Sequence, residues 1–187
     1  MHTSTLILIE QAKSLGNDVY KVAAELLEDS RFDIWSGSSK PEQHHYGPHG
    51  LTIHTHEIMV LAFSTIDNLK LDIDPIELYL SVLFHDSGKM FDYSTVDNLH
   101  FSPTTHRRLI HHISRSALIW HDTSLIEPQI HDKYHDLVLH NILAHHGRRE
   151  HGSPVMPKTR AAWLLHLCDS ISARMNDCDR LDFVKIP

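Results

Sequence analysis

A histidine followed directly by an aspartate closes an apolar run in Leu83-Phe84-His85-Asp86-Ser87-Gly88-Lys89. Neighbouring residues inside a helix do not share a face, because side chains on one stripe lie three or four positions apart. At a helix end the backbone turns away, and both side chains can converge on one point. A neutral imidazole and a carboxylate are good ligands for a first-row divalent metal. Further candidates appear in chain order: His54, His112, His145-His146 and Asp169. Each falls in or at the end of a predicted helix, among apolar neighbours, where imidazoles and carboxylates are costly unless paired or metal-bound. His54, His85, Asp86 and Asp169 suffice for one ion. His112, His145 and His146 suffice for a second, with Asp86 bridging. Mn, Fe, Co, Ni and Zn all suit such ligands, so the residue types do not choose among them.

The elements that must position these side chains read as helices. Spans 4–15 and 18–29 are predicted helices whose role is packing, the second rich in good helix formers. Residues 30–50, with Gly37, Pro41, Gly47, Pro48 and Gly50, read as a long irregular loop, of a length that usually signals function. Leu51–Leu69 reads as a helix carrying His54. Asp74-Pro75-Ile76-Glu77 is a helix start, with Asp as N-cap, Pro at the first position and Glu placed for a capping box. The helix it opens, to about His85, is apolar nearly all round and should form the buried centre. Residues 87–101 read as loop with a possible short hairpin. One helix is predicted from Ser102-Pro103 to Trp120, another from Gln129 to His146 with Gly147 as its cap, and the last over 158–176. The reading is all-α, a helical bundle of one domain over 1–187, with no repeat.

Composition narrows the function classes. The chain has 187 residues and a formal charge of −7, which disfavours a broad basic surface tracking a polynucleotide while leaving room for a local cationic pocket. Nineteen histidines are the outlier, and they form no terminal tag. Cys168 and Cys178 suggest no disulfide framework. Leu6-Ile7-Leu8-Ile9 is too short for a signal-peptide core, and no stretch has the length of a membrane span. A cytoplasmic protein is expected. Phosphate-loop, nucleophile-elbow and dinucleotide fingerprints do not occur.

The order His54, His85-Asp86, Asp169 resembles the HD-domain metal-dependent phosphohydrolase superfamily, whose signature is H…HD…D on a helical bundle. The resemblance covers about 35–176, and the additional histidines are similar to those of its two-metal branches. Finer matches are His44-His45 with Gly50-Leu51 and His54-Thr55, His85-Asp86-Ser87-Gly88-Lys89, His112-Ile113, and Ile142-Leu143-Ala144-His145-His146-Gly147 with Gly152-Ser153-Pro154-Val155 and Pro157. They resemble two groups: the HD part of YhaM-type 3′–5′ exoribonucleases, and small phage dATP triphosphohydrolases. His49 stands where the pattern has the first glycine of a pair.

The resemblance implies a hydrolase with one or two divalent ions (Mn, Co, Zn, Fe or Ni) and a nucleotide substrate. Asp86 and Lys89 are the expected catalytic pair, with Lys89 neutralising phosphate charge as a point cation. Arg148 and Arg149 are candidates for the phosphate tail, Arg107 and Arg108 weaker ones, and Trp35 a candidate for stacking on a base. The expected reaction is dATP to deoxyadenosine plus phosphate or triphosphate, in a homo-oligomer that does not bind nucleic acid. The alternative is a 3′–5′ exonuclease acting on single-stranded RNA or DNA. That family adds an OB-fold ahead of its HD part, for which the stretch before Trp35 is too short.

Overall fold

The computed structural model describes residues 1–38 and 40–180. Its helices are α1 (Thr3–Leu15), α2 (Asn17–Leu27), α3 (Ser30–Ile34), α4 (Gly50–Leu69), α5 (Pro75–Phe84), α6 (Lys89–Asp92), α7 (Thr105–Leu109), α8 (His112–Ser124), α9 (Pro128–Ala144) and α10 (Arg160–Arg180). A two-residue ladder, β1 (Tyr93–Ser94) with antiparallel β2 (Ser102–Pro103), closes the 94–102 loop. The fold is all-α, as the periodicity predicts. None of the described helices is long and apolar enough to cross a membrane.

Helix α5 is the axis of the bundle. Asp74 caps it by accepting from Ile76 N–H, and Pro75 occupies the first turn as predicted. Glu77 does not close a capping box; its carboxylate accepts instead from Asn141 Nδ2 on α9, at 2.9 Å. Every residue from Leu78 to Phe84 is buried, and α5 touches α1, α2, α4, α8, α9 and α10. Burying a Leu, Val or Phe stabilises by about 1.5–3 kcal/mol, so this run is a firm anchor for the His85-Asp86 pair at its C-terminal end.

Two expectations need correcting. The 30–50 stretch is not all loop, because Asp29 caps the short α3 through Arg31 N–H. The helix predicted from Ser102 to Trp120 is two helices. Ser102 and Pro103 pair with β1, Thr104 caps α7, and the chain breaks at Ile110-His111, where His111 takes φ +68°. No glycine or proline marks that break. It frees His112 to stand at the first position of α8, facing the centre of the bundle.

Candidate metal centre

The turn after α5 brings Asp86 between side chains from four other elements. Asp86 Oδ2 lies 3.3 Å from His85 Nε2 and 3.5 Å from His54 Nε2. Its other oxygen, Oδ1, lies 3.5 Å from His112 Nε2 and 3.8 Å from His145 Nε2. Asp169 on α10 places Oδ1 3.1 Å from His54 Nε2. One carboxylate therefore faces two pairs of imidazoles, one pair per oxygen. Two clusters result, His54/His85/Asp86 and His112/His145/His146, each with ligand atoms within 4.8 Å of one another.

Hydrogen bonding shows what these atoms are prepared for. Nε2 of His54, His85, His112 and His145, together with Asp86 Oδ1, is buried without a hydrogen-bond partner. An unsatisfied buried polar atom costs about 1–3 kcal/mol, so five gathered at the Asp86 carboxylate need further occupants, and divalent ions fit this donor set. The opposite ring nitrogens are all engaged. His85 Nδ1 donates to the Val82 carbonyl at 2.7 Å, and His145 Nδ1 to the Ile142 carbonyl at 2.6 Å. His54 Nδ1 lies 2.9 Å from Ser172 Oγ, whose proton goes to Glu57, so the ring is the donor. His112 Nδ1 faces Asp92 Oδ2 at 3.3 Å, and His146 Nδ1 donates to the His151 carbonyl at 2.8 Å. With Nδ1 protonated, each Nε2 presents a lone pair, the tautomer that a metal requires.

Electrostatics agree. Burial pushes the His54 and His112 imidazoles down to about 4 and His145 well below its usual value, so all three are neutral ligands at pH 7. Burial alone would raise Asp86, but the Lys89 ammonium and the His85 ring outweigh it and hold the carboxyl well below the ordinary range. Lys89 is buried, with Nζ 2.6 Å from Asp86 Oδ2.

A cavity of about 620 Å³ opens over Asp86 and Lys89. Its walls come from Glu42, Gln43 and His44 before α4, from His146, Arg148 and His151, and from the α10 residues His166, Asp169, Arg174 and Asp177. Arg148 is a wall residue; Arg149, in the adjoining 3-10 turn, is exposed and is not. Arg107 and Arg108 also lie outside the walls. Trp35 is placed differently from the expectation. Its Nε1 donates to the Tyr93 carbonyl at 3.2 Å, its ring meets Phe101 edge-on at 5.8 Å, and it packs on the core rather than lining the cavity.

Supporting residues complete the centre, and of these Asp92 carries no signal in the sequence. Asp92 is fully buried, spans His106 Nδ1 (3.1 Å) and His112 Nδ1, and Arg115 Nε donates in turn to His106 Nε2 at 3.0 Å. Asp92 lies three residues past Lys89 in a stretch read as loop, and nothing in its spacing marks it. His45 Nε2 lies 2.9 Å from Glu57, which orients His54 through Ser172. Tight backbone approaches fix the frame: a Cβ at Gly50 would collide with the His45 carbonyl, and one at Gly88 with the His112 carbonyl. His49, beside Gly50, adopts φ +63°, a conformation that favours glycine, and holds it with Nδ1 on the Asp33 carbonyl at 2.6 Å.

A family model described as the HD domain matches residues 53–174. The chain is also similar to the 3′-5′ exoribonuclease YhaM of Bacillus pumilus (strain SAFR-032), with 31% identity over 170 residues, covering 90% of this chain and 52% of that protein. It thus spans about half the length of this curated relative. No solved structure matches the chain.

Proposed function

Because the chain belongs to the HD-domain family and gathers His54, His85, His112, His145 and Asp169 around Asp86, which lines the cavity, we propose that it is a two-ion phosphohydrolase of nucleotides. The observation that carries this is the Asp86 carboxylate, whose two oxygens each face a pair of buried, unpartnered Nε2 atoms. Divalent ions held there supply Lewis-acid stabilisation of a phosphoryl group and water activated at neutral pH. The protein's own part is charge and position. Lys89 holds Asp86 ionised and offers its ammonium to a phosphate oxygen at the cavity floor. Arg148 and Arg174 stand on the walls to take the remaining phosphate charge.

The substrate we assign is a free deoxynucleotide, dATP, hydrolysed to deoxyadenosine and phosphate or triphosphate. The mixed walls support a small anion over a polyanion, since Glu42 and Asp177 line the same cavity as Arg148 and Arg174 and the chain carries −7 overall. The choice of adenine rests on the resemblance to phage dATP triphosphohydrolases, because Trp35 lies off the cavity. A second reading, a 3′–5′ exonuclease, is favoured by the similarity to the Bacillus exoribonuclease over 90% of this chain.

A substrate panel tests both. Purified protein with Mn²⁺ or Co²⁺ is offered all dNTPs, NTPs, dNMPs and a short labelled single strand, and products are separated by chromatography. Conversion of dATP to deoxyadenosine with the strand intact supports the first reading. Shortening of the strand from its 3′ end with dATP untouched replaces it with the second.

A further inference from the structure

A second group of histidines joins α8 and α9 at their far ends. His121 stands in the last turn of α8, and His131 and His135 lie one turn apart in the first half of α9. His135 is ten residues before His145, roughly 15 Å along a helix that rises ~1.5 Å per residue. His121 Nδ1 and His135 Nε2 are 2.9 Å apart. The ring centroids of His131 and His135 are separated by 4.5 Å, and those of His121 and His131 by 6.1 Å.

The tautomers can be read from the neighbours. His135 Nδ1 faces Asp136 Oδ1 at 2.8 Å, so the proton sits on Nδ1 and Nε2 presents a lone pair. Ser124 Oγ gives its proton to the His121 carbonyl at 3.0 Å and therefore accepts from His131 Nδ1 at 2.8 Å. His131 Nε2 is then a lone pair as well. Carboxylate and hydroxyl partners on Nδ1 are the supports that metal-binding imidazoles use. A tetrahedral site with metal–nitrogen bonds of ~2.0–2.1 Å sets its nitrogens about 3.3 Å apart, close to the spacing that His121 and His135 already have.

From this arrangement we propose that His121, His131 and His135 form a transition-metal site that clamps α8 to α9. Two ligands come from adjacent turns of one helix and the third from the other. His121 moves its proton to Nε2 and binds through Nδ1, and His131, with Nδ1 kept towards Ser124, turns its partly exposed ring to bring Nε2 inward. Imidazole ligands select Zn²⁺, Ni²⁺ or Cu²⁺ over Mg²⁺ and Ca²⁺. The clamp holds together the helix pair whose opposite ends present His112 and His145, and it does not depend on the proposed substrate.

The test counts ions. The 187-residue protein is stripped with chelator and titrated with Ni²⁺, and bound metal per chain is measured for wild type, for His131→Gln/His135→Gln, and for Asp86→Asn. Both substituted rings are partly exposed, so circular dichroism of the double variant should overlay on wild type. The double variant is expected to bind one ion fewer per chain with unchanged hydrolysis, and Asp86→Asn is expected to keep that equivalent. Equal counts in wild type and the double variant, or loss of all tightly bound Ni²⁺ in Asp86→Asn, overturns the site.

Discussion

Lys89 Nζ lies 2.6 Å from Asp86 Oδ2, and both side chains are buried. The cation placed for a phosphate is therefore also the counter-ion of the carboxylate at the heart of the centre. Removing one partner of a buried ion pair costs about 3–5 kcal/mol, because the other charge is left uncompensated. Lys89→Met is expected to lose stability of that order in the metal-free protein and much less when Mn²⁺ is bound, since the ions take over the role of counter-charge. Urea denaturation with and without metal measures the difference. Equal losses in both states would remove Lys89 from the electrostatics of the centre.

Asp92 acts on the centre through His112. Outer partners of metal-binding histidines typically contribute 10–100-fold in metal affinity or activity. Asp92→Asn should lower metal affinity by about that factor while leaving kcat at saturating metal closer to wild type. A binding titration read beside kcat separates this positioning role from a general loss of structure.

The acid limit of the metal-free protein is set by its buried rings. Burial lowers His54, His112 and His44 from 6.5 to about 4, and His145 also falls well below 6.5. Burial would lower His85 too, but Asp86 outweighs it and raises this one ring. Between pH 6.5 and about 4 the unfolded chain therefore takes up more protons than the folded one, and stability must fall as pH falls through that window. The Tm of chelator-treated protein should drop between pH 7 and 5. A Tm that rises over that range would contradict the neutral state assigned to these rings.

Gly88 sits where its N–H meets Ser116 Oγ at 2.9 Å, and a Cβ there would strike the His112 carbonyl. Gly88→Ala should displace the start of α8 and weaken the His112/His145/His146 cluster before the His54/His85/Asp86 cluster. Metal content under limiting Mn²⁺ should fall towards one ion at the centre. Unchanged content would mean that the backbone gives way elsewhere.

Trp35 is half-buried against Phe101 with its indole N–H satisfied by Tyr93. Trp35→Ala should destabilise the fold by about 3 kcal/mol and leave the relative rates on dATP, dGTP and ATP unchanged. A changed base preference without loss of stability would restore Trp35 to the substrate pocket.

Much of the fold was legible in the sequence. The largely apolar run from Ile76 to Phe84, interrupted only by Glu77 and Ser81, announced the central helix, and Asp74-Pro75 fixed its start. The paired types His85-Asp86 and His145-His146 marked helix ends, where the structure lets them converge. What could not be read depends on the fold as a whole. The break at His111 has no local signal, and a non-glycine residue at φ +68° persists only because surrounding contacts enforce it. Asp92 is an isolated acid whose meaning comes from His106 and His112, neither near it in sequence. Trp35 shows the converse: an aromatic residue in an irregular stretch suggested a binding platform, but the β1–β2 ladder supplied it with packing and a hydrogen-bond acceptor.

The central claim is that hydrolysis runs on ions gathered around Asp86. The most direct measurement is dATP and single-strand hydrolysis by wild type and Asp86→Asn, after chelator treatment and again after Mn²⁺ is restored. Wild type should lose activity on chelation and regain it with Mn²⁺, while Asp86→Asn should stay folded and inactive in both conditions. Wild-type turnover by Asp86→Asn, or full activity of the chelated enzyme, would contradict the claim.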